Sequence, residues 1–194
     1  MVAADLRRGR ADRGVVGIKP AQRALVEVAG EERLFQGVKF PGHVVVVVEI
    51  VLAEKGRPPE LHSLKVGVSR ITEAFLSEDP PRAKQVAKLE KYLRAELEPA
   101  LAMAARRKVK RVIGTSGTAL TLISMAAHRL GVHPGTQVHG LAVPAEAVSR
   151  LSRGLVRADR EARLAMRGMD PKRADLIASG AVLASVVLRR LKAA

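Results

Sequence analysis

The residues Gly114, Thr115, Ser116, Gly117 and Thr118 stand in a pattern that suits a bound oxyanion. A short β-branched run at 109–113 leads into them, and Leu120, Ile123, Ala126, Ala127 and Leu130 follow on one face of a helical period. Strand, tight turn and helix are therefore expected in that order. Glycines let the backbone approach a ligand closely, and the first N–H groups of a helix have no acceptor within it, so the turn would aim donors at an anion such as phosphate. Two better-known motifs are excluded by single residues. A P-loop needs Lys after its last glycine, where Thr118 stands, and a nucleophile elbow needs glycine two residues beyond Ser116, where Thr118 stands again. Two readings stay open: an anion cradle, or a helix start capped by the Ser116 or Thr118 hydroxyl.

Other residues that could do chemistry are sparse. His133 and His139 fall in an expected loop with no third ligand at a suitable spacing, so no metal site is assigned. Glu31 and Glu32 sit at an expected helix start, where carboxylates favour the positive end of the dipole. Cysteine is absent, which removes disulfides and thiolate ligands and fits a reducing compartment. Lys and Arg number 34 against 19 Asp and Glu, a formal charge of +15 that favours polyanionic partners: polyphosphate, nucleotide or nucleic acid. With one Tyr, three Phe and no Trp, stacking surfaces for single strands are nearly missing, and charge alone supports the nucleic-acid class. The apolar run at 44–53 is too short to span a bilayer and carries Glu49, and no apolar stretch follows Arg7, Arg8 and Arg10. A soluble, cytoplasmic protein without a membrane partner is expected.

The elements around the turn follow from periodicity. Residues 24–28 read as a strand. The β-branched run at 44–53 and the segment 61–69, joined through Gly56-Arg57-Pro58-Pro59, read as a hairpin. Asp79 and Pro80 read as N-cap and first residue of a long helix whose Val86, Leu89, Leu93, Leu97 and Leu101 form its apolar stripe; that helix ends in basic residues at 106–111. The strand at 109–113 is expected to lie beside the hairpin strands. Pro144 opens a helix with Val148, Leu151 and Leu155 on one face, Asp159 caps a shorter one, and Asp170-Pro171 starts a last helix striped by Ile177, Ala181, Ala184, Leu188 and Leu191. The small residues Ser179, Gly180 and Ala181 predict close approach to another element.

Four segments in this order resemble the exopolyphosphatase/guanosine pentaphosphate phosphohydrolase (Ppx/GppA) family: residues 63–73 (Ser-Leu-Lys-Val-Gly-Val-Ser-Arg-Ile-Thr-Glu), the Asp79-Pro80-Pro81 step, residues 112–118 (Val-Ile-Gly-Thr-Ser-Gly-Thr), and residues 169–181 beginning Met-Asp-Pro-Lys-Arg-Ala-Asp. The resemblance runs from residue 42 or so to the C-terminus. It implies an α/β, actin-like ATPase fold of two ribonuclease-H-like domains facing a phosphate-binding cleft. Here that would be mainly the second domain (residues 43–194) with its C-terminal helices, after a remnant of the first (residues 1–42). It implies hydrolysis of the terminal phosphate of inorganic polyphosphate or guanosine pentaphosphate with Mg2+. Arg7 matches a phosphate-binding arginine, Glu31 or Glu32 a general base acting on the attacking water, and Gly114, Thr115, Ser116, Gly117 and Thr118 a phosphate-binding turn.

The departures from the family pattern bear on activity. Its first Asp-Ile-Gly phosphate loop should precede the Arg7 segment, and its second should interrupt residues 44–53, where Glu49-Ile50 stand without a glycine. Both loops supply N–H donors and a metal-associated acid around the scissile phosphate, so a degenerate or weakly active phosphatase is expected. The alternative is a non-catalytic polyanion-binding or regulatory module. An apolar face left uncovered predicts self-association into a homo-oligomer.

Overall fold

The computed structural model describes residues 25–28, 48–53, 58–107, 109, 111–135, 138 and 140–192. Along these the elements are β1 (Leu25–Val28), β2 (Val48–Leu52), β3 (Glu60–Leu64), α1 (Val68–Phe75), α2 (Ala83–Arg106), β4 (Arg111–Gly114), α3 (Gly117–Arg129), β5 (Ala142–Pro144), α4 (Ala145–Leu155), α5 (Arg160–Leu164), a 3-10 turn (Pro171–Arg173) and α6 (Ile177–Arg190).

The strands form two separate sheets. β4 pairs parallel with β1, Val26 opposite Val112, and β5 pairs antiparallel with the other edge of β1. β2 and β3 make an antiparallel hairpin by themselves, with Ile50 opposite His62. The expectation that β4 lies beside the hairpin is corrected by this topology. Val48, Ile50 and Leu64 on one hairpin face pack against the cluster built on α2 and α6, so the hairpin is held through its face and not by an edge bonded to β4. Its second strand is also shorter than the 61–69 expected. The chain turns at Gly67, and Val68, Ile71 and Phe75 then recur at helical spacing, with Ile71 buried.

Two apolar clusters meet at α6. One joins α3, α4 and β5 through Ile123, Met125, Val143, Leu151 and Leu155, and takes Ile177, Ala181 and Leu188 from α6. The other joins α1 and α2 through Ile71, Leu89, Leu93, Leu97 and Leu101, and takes Val182 and Val186 from α6. The leucine stripe of α2 is buried as its period requires. The last helix is buried on two sides where the sequence suggested one stripe, as a helix apolar most of the way round must be. Leu130 departs from its expected place: α3 stops at Arg129, Gly131 takes φ +77, and Leu130 is left exposed.

Three helix starts can be checked atom by atom. Asp159 caps α5, its Oδ1 accepting from Ala162 N at 2.8 Å. Asp79 does not cap α2; the cap residue is Arg82, whose N–H donates to the Gln85 side chain at 2.9 Å. Asp79 instead accepts from Arg163 Nη2 at 2.6 Å and from Arg160 N at 2.7 Å. An almost fully buried guanidinium needs its carboxylate more than a solvated helix end needs a cap. Asp170 accepts from Lys172 N at 3.0 Å, but what it starts is the 3-10 turn, and α6 begins only at Ile177. No described helix is long and apolar enough to cross a membrane.

Candidate phosphate-binding turn

β4 delivers the chain to Gly114 and α3 takes it away from Gly117, so residues 114–118 form the strand-to-helix turn expected from sequence. Ser116 is the N-cap, in extended conformation, and its Oγ accepts from Ala119 N at 3.2 Å. The intrahelical ladder opens with Leu120 N donating to Ser116 O at 2.9 Å, and Thr121 Oγ1 donates to Gly117 O at 2.9 Å. That leaves the N–H groups of Gly117 and Thr118, the first-turn donors that a helix cannot satisfy by itself. The cap and the cradle are therefore compatible: the serine hydroxyl serves one donor, and two more remain for an anion.

Each side chain of the turn has a definite place. Gly114 is close against Ala119, where a Cβ would come within 2.7 Å of the Ala119 Cβ. Thr118 is 8% exposed, and its methyl lies where a Cβ on Gly180 would stand, 2.3 Å away. The close approach foreseen at Gly180 is thus α6 against the first turn of α3. Next to it, the hydroxyls of Ser179 and Thr72 share a hydrogen bond of 2.5 Å, tying α6 to α1. What Thr118 offers a ligand at the helix start is its backbone N–H.

The residue that sequence reasoning missed is Arg173. Its guanidinium lies directly over the turn: a Cβ on Gly117 would be 2.5 Å from Nη2 and 2.9 Å from Cζ. Its Nε is buried without a hydrogen-bond acceptor, the Asp170 carboxylate being 3.9 Å away. A guanidinium with spare donors beside two free helix N–H groups is a planar, bidentate partner for a phosphate oxygen pair. Reading residues 171–191 as one helix hid it, because the 3-10 turn and the step before Ile177 are what carry Arg173 over Gly117. The usable signal was the Asp170-Pro171 pair, which marks a short capped turn as readily as a long helix.

Arg7, Glu31 and Glu32, as well as His139, lie outside the described residues. Glu49 lies in β2 opposite Ser63, in the hairpin sheet. Among the described residues no three His, Asp or Glu side chains converge as a metal site. The clearest shift in acidity is remote: the Arg190 hydrogen bond holds Glu98 below the usual carboxylate value, and the same bond raises Arg190.

Against known proteins, the sequence matches the Ppx/GppA phosphatase family over residues 47–194. It is 31% identical over 144 residues to Exopolyphosphatase 2 of Mycobacterium tuberculosis (strain CDC 1551 / Oshkosh), a match covering 74% of this chain and 44% of that protein. The chain thus spans less than half the length of this curated relative. The fold is similar to that of an exopolyphosphatase from Cytophaga hutchinsonii, with TM-score 0.66 and 23% identity over 87% of this chain and 50% of the other. It is also similar to the Aquifex aeolicus Ppx/GppA family member, with TM-score 0.61 and 20% identity over 90% and 51%. These neighbours carry the α/β actin-like ATPase fold expected from the sequence. With the family covering most of the chain and the turn standing in its matched region, the chain belongs to the Ppx/GppA phosphatase family.

Proposed function

We propose that this chain binds a terminal phosphate of inorganic polyphosphate or guanosine pentaphosphate at residues 114–118 and hydrolyses it weakly. The observation that carries this reading is the Arg173 guanidinium, seated over Gly117 with an unsatisfied Nε. The N–H groups of Gly117 and Thr118 would take the phosphate oxygens at the positive end of α3 while Arg173 closes over them. Hydrolysis further needs a water held by a base in line with the leaving oxygen, and the candidates for that are Glu31 and Glu32, with Arg7 as a second phosphate contact. On this reading residues 1–42 are the remnant of the first domain and residues 43–194 the second.

Mg2+ is the metal the family resemblance implies. The described residues do not fit it, because no acidic cluster faces the turn, and no step is assigned to it. A cytoplasmic location and a homo-oligomer complete the proposal. The second reading, a polyanion-binding module without catalysis, is favoured by the same turn and by the +15 charge.

Phosphate release from polyphosphate and from guanosine pentaphosphate separates the two readings, with release at or near background supporting the module. Binding of polyphosphate compared with DNA over a salt series tests the turn itself. Gly117→Val is expected to weaken polyphosphate binding and leave DNA binding unchanged. Unchanged binding of both would reduce the turn to a helix cap, and robust magnesium-dependent hydrolysis would overturn the weak-enzyme reading.

A further inference from the structure

The end of α3 remote from the turn opens onto a cavity of about 230 Å3, lined by Met125, His128, Arg129, Leu151, Met166 and Arg167. At 1.5 Å per helical residue, Arg129 lies about 18 Å along α3 from Gly117, so the two places are distinct. The cavity floor is apolar. Met125 and Leu151 are buried members of the α3/α4 core, and Met166 packs against it half-buried.

The rim is cationic and uncompensated. Arg129 and Arg167 are exposed, and among the described residues no carboxylate pairs with either. Arg150 and Arg160, by contrast, hold Glu146 and Asp175 at 3.3 and 2.8 Å. Glycines give room to the Arg129 guanidinium and to the backbone beside Arg167. Arg129 lies along α4 over Gly154, its Nη2 3.5 Å from where a Cβ would stand. Gly168, at φ +82, brings the Arg167 segment against the α3 backbone, where a Cβ would be 2.9 Å from Met125 N and 2.7 Å from His128 Cδ2. His128 is oriented in turn by His133, the two Nδ1 atoms 2.9 Å apart.

A histidine pair alone would suit a divalent transition metal. Two unpaired guanidiniums beside it repel a cation and attract an anion, and this decides the class of ligand. The volume limits its size. The cavity is smaller than the roughly 300–1,000 Å3 that encloses a whole drug-sized molecule, so it seats a head group and a short apolar body. We propose that this cavity binds a small organic phosphate, with the phosphate on Arg129 and Arg167 and its apolar portion on Met125, Leu151 and Met166. The site is independent of the 114–118 turn.

The test is a titration of the 15N-labelled full chain with phenyl phosphate, inorganic phosphate and phenol, followed by amide shifts. Phenyl phosphate is expected to move the amides of 125–129, 151 and 166–168, with affinity there at least tenfold above that of either other probe. The double variant Arg129→Gln/Arg167→Gln is expected to lose at least tenfold in affinity for phenyl phosphate, and Arg106→Gln, an exposed arginine elsewhere, to lose none. Should the double variant lose its native spectrum, Arg167→Gln alone is read the same way. Shifts confined to 115–120 would overturn this inference while leaving the reading of the turn in place, and shifts at the cavity with none at the turn would do the reverse. Equal affinity for phenyl phosphate and either other probe, or binding unchanged by the arginine substitutions, would also overturn it.

Discussion

Gly117 and Arg173 are expected to behave as one unit in binding and as strangers in stability. In Gly117→Ala the new Cβ would stand 2.5 Å from Arg173 Nη2 and 3.0 Å from Nε, so the guanidinium must retreat by about an ångström to reach ordinary contact. The retreat is cheap. The side chain is 40% exposed and, among the described residues, is held by Asp170 alone at 3.9 Å, so it has room to swing and little to lose. Alanine is also a better helix residue than glycine by up to about 1 kcal/mol, and the melting temperature should stay level or rise by about 2–4 °C. Binding should fall. A hydrogen bond to a charged group is worth about 1.5–3 kcal/mol, or about 10- to 150-fold in affinity for tripolyphosphate.

Arg173→Gln removes the same contact and should cost about as much. If both substitutions act through one guanidinium, the double variant binds no worse than either single, and the coupling term is as large as each single effect. The assay is calorimetric binding of tripolyphosphate, with DNA binding as the measure of general attraction to the basic surface. Additive losses, or wild-type affinity in Gly117→Ala, would refute the placement of Arg173 in the site. Loss of affinity with a melting temperature lowered by more than about 5 °C would show that the alanine had disturbed the fold.

Four further outcomes are expected. Gly180→Ala drives a Cβ to 2.3 Å from the Thr118 methyl, which is buried and cannot swing away. An overpacking cost of about 1–3 kcal/mol should exceed the helix-propensity gain of about 1, and a small fall in melting temperature together with weaker phosphate binding would be measured. Asp79→Ala strands the Arg163 guanidinium, whose side chain is 4% exposed. Losing one partner of a fully buried pair costs about 3–5 kcal/mol; the 41% exposure of Asp79 lowers this to about 2–3, read as a fall of about 5–10 °C in calorimetry. Because Arg190 holds the Glu98 pKa down, that pair stabilises the fold above the unfolded carboxylate value and is lost as pH falls through the folded one. Glu98→Gln should therefore lower the melting temperature at pH ~7, and the gap should shrink as the pH is lowered through the acid range; a gap that does not shrink in acid would contradict the linkage. Val51 and Leu61 face each other on the open side of the hairpin, 39% and 46% exposed, so Val51→Thr/Leu61→Lys should reduce self-association by light scattering, and a wild-type chain already monomeric at high concentration would remove the premise.

How far the sequence was readable depended on the range of the interaction concerned. The stripe of α2, the Ser116 cap, the Asp159 cap and the narrow Gly180 are local patterns, and each has the place its neighbours in sequence dictate. The partner of β4 is not local. β-branched composition says that residues 111–114 form a strand but not which edge they meet, and β1 reaches them from more than eighty residues upstream. At Asp79 a local capping pattern competes with a buried cation supplied eighty-four residues later, and the cation wins. The helix at Val68 was masked by the alternating residues before it, since Val66 and Val68 continue the strand pattern while Val68, Ile71 and Phe75 already follow the helical one. Arg173 reaches its place through two non-local features at once, the break before Ile177 and the contact with Gly117.

The helix α6 explains why a phosphate-binding turn would outlast the catalytic parts around it. It contributes to both apolar clusters, so its position is fixed from two sides, and Gly180 carries that rigidity to within contact of Thr118 in the first turn of α3. The donors of Gly117 and Thr118 are therefore aimed by the core itself and need no loop to hold them. A general base would have to come from a separate element and stand on the far side of the phosphate. On the proposed reading, chemistry depends on Glu31 or Glu32 reaching that position, whereas binding depends on side chains already locked behind the turn. Loss of an Asp-Ile-Gly loop would then remove hydrolysis first and leave affinity for the anion, and α6 substitutions such as Gly180→Ala should lower affinity even though α6 itself touches no phosphate.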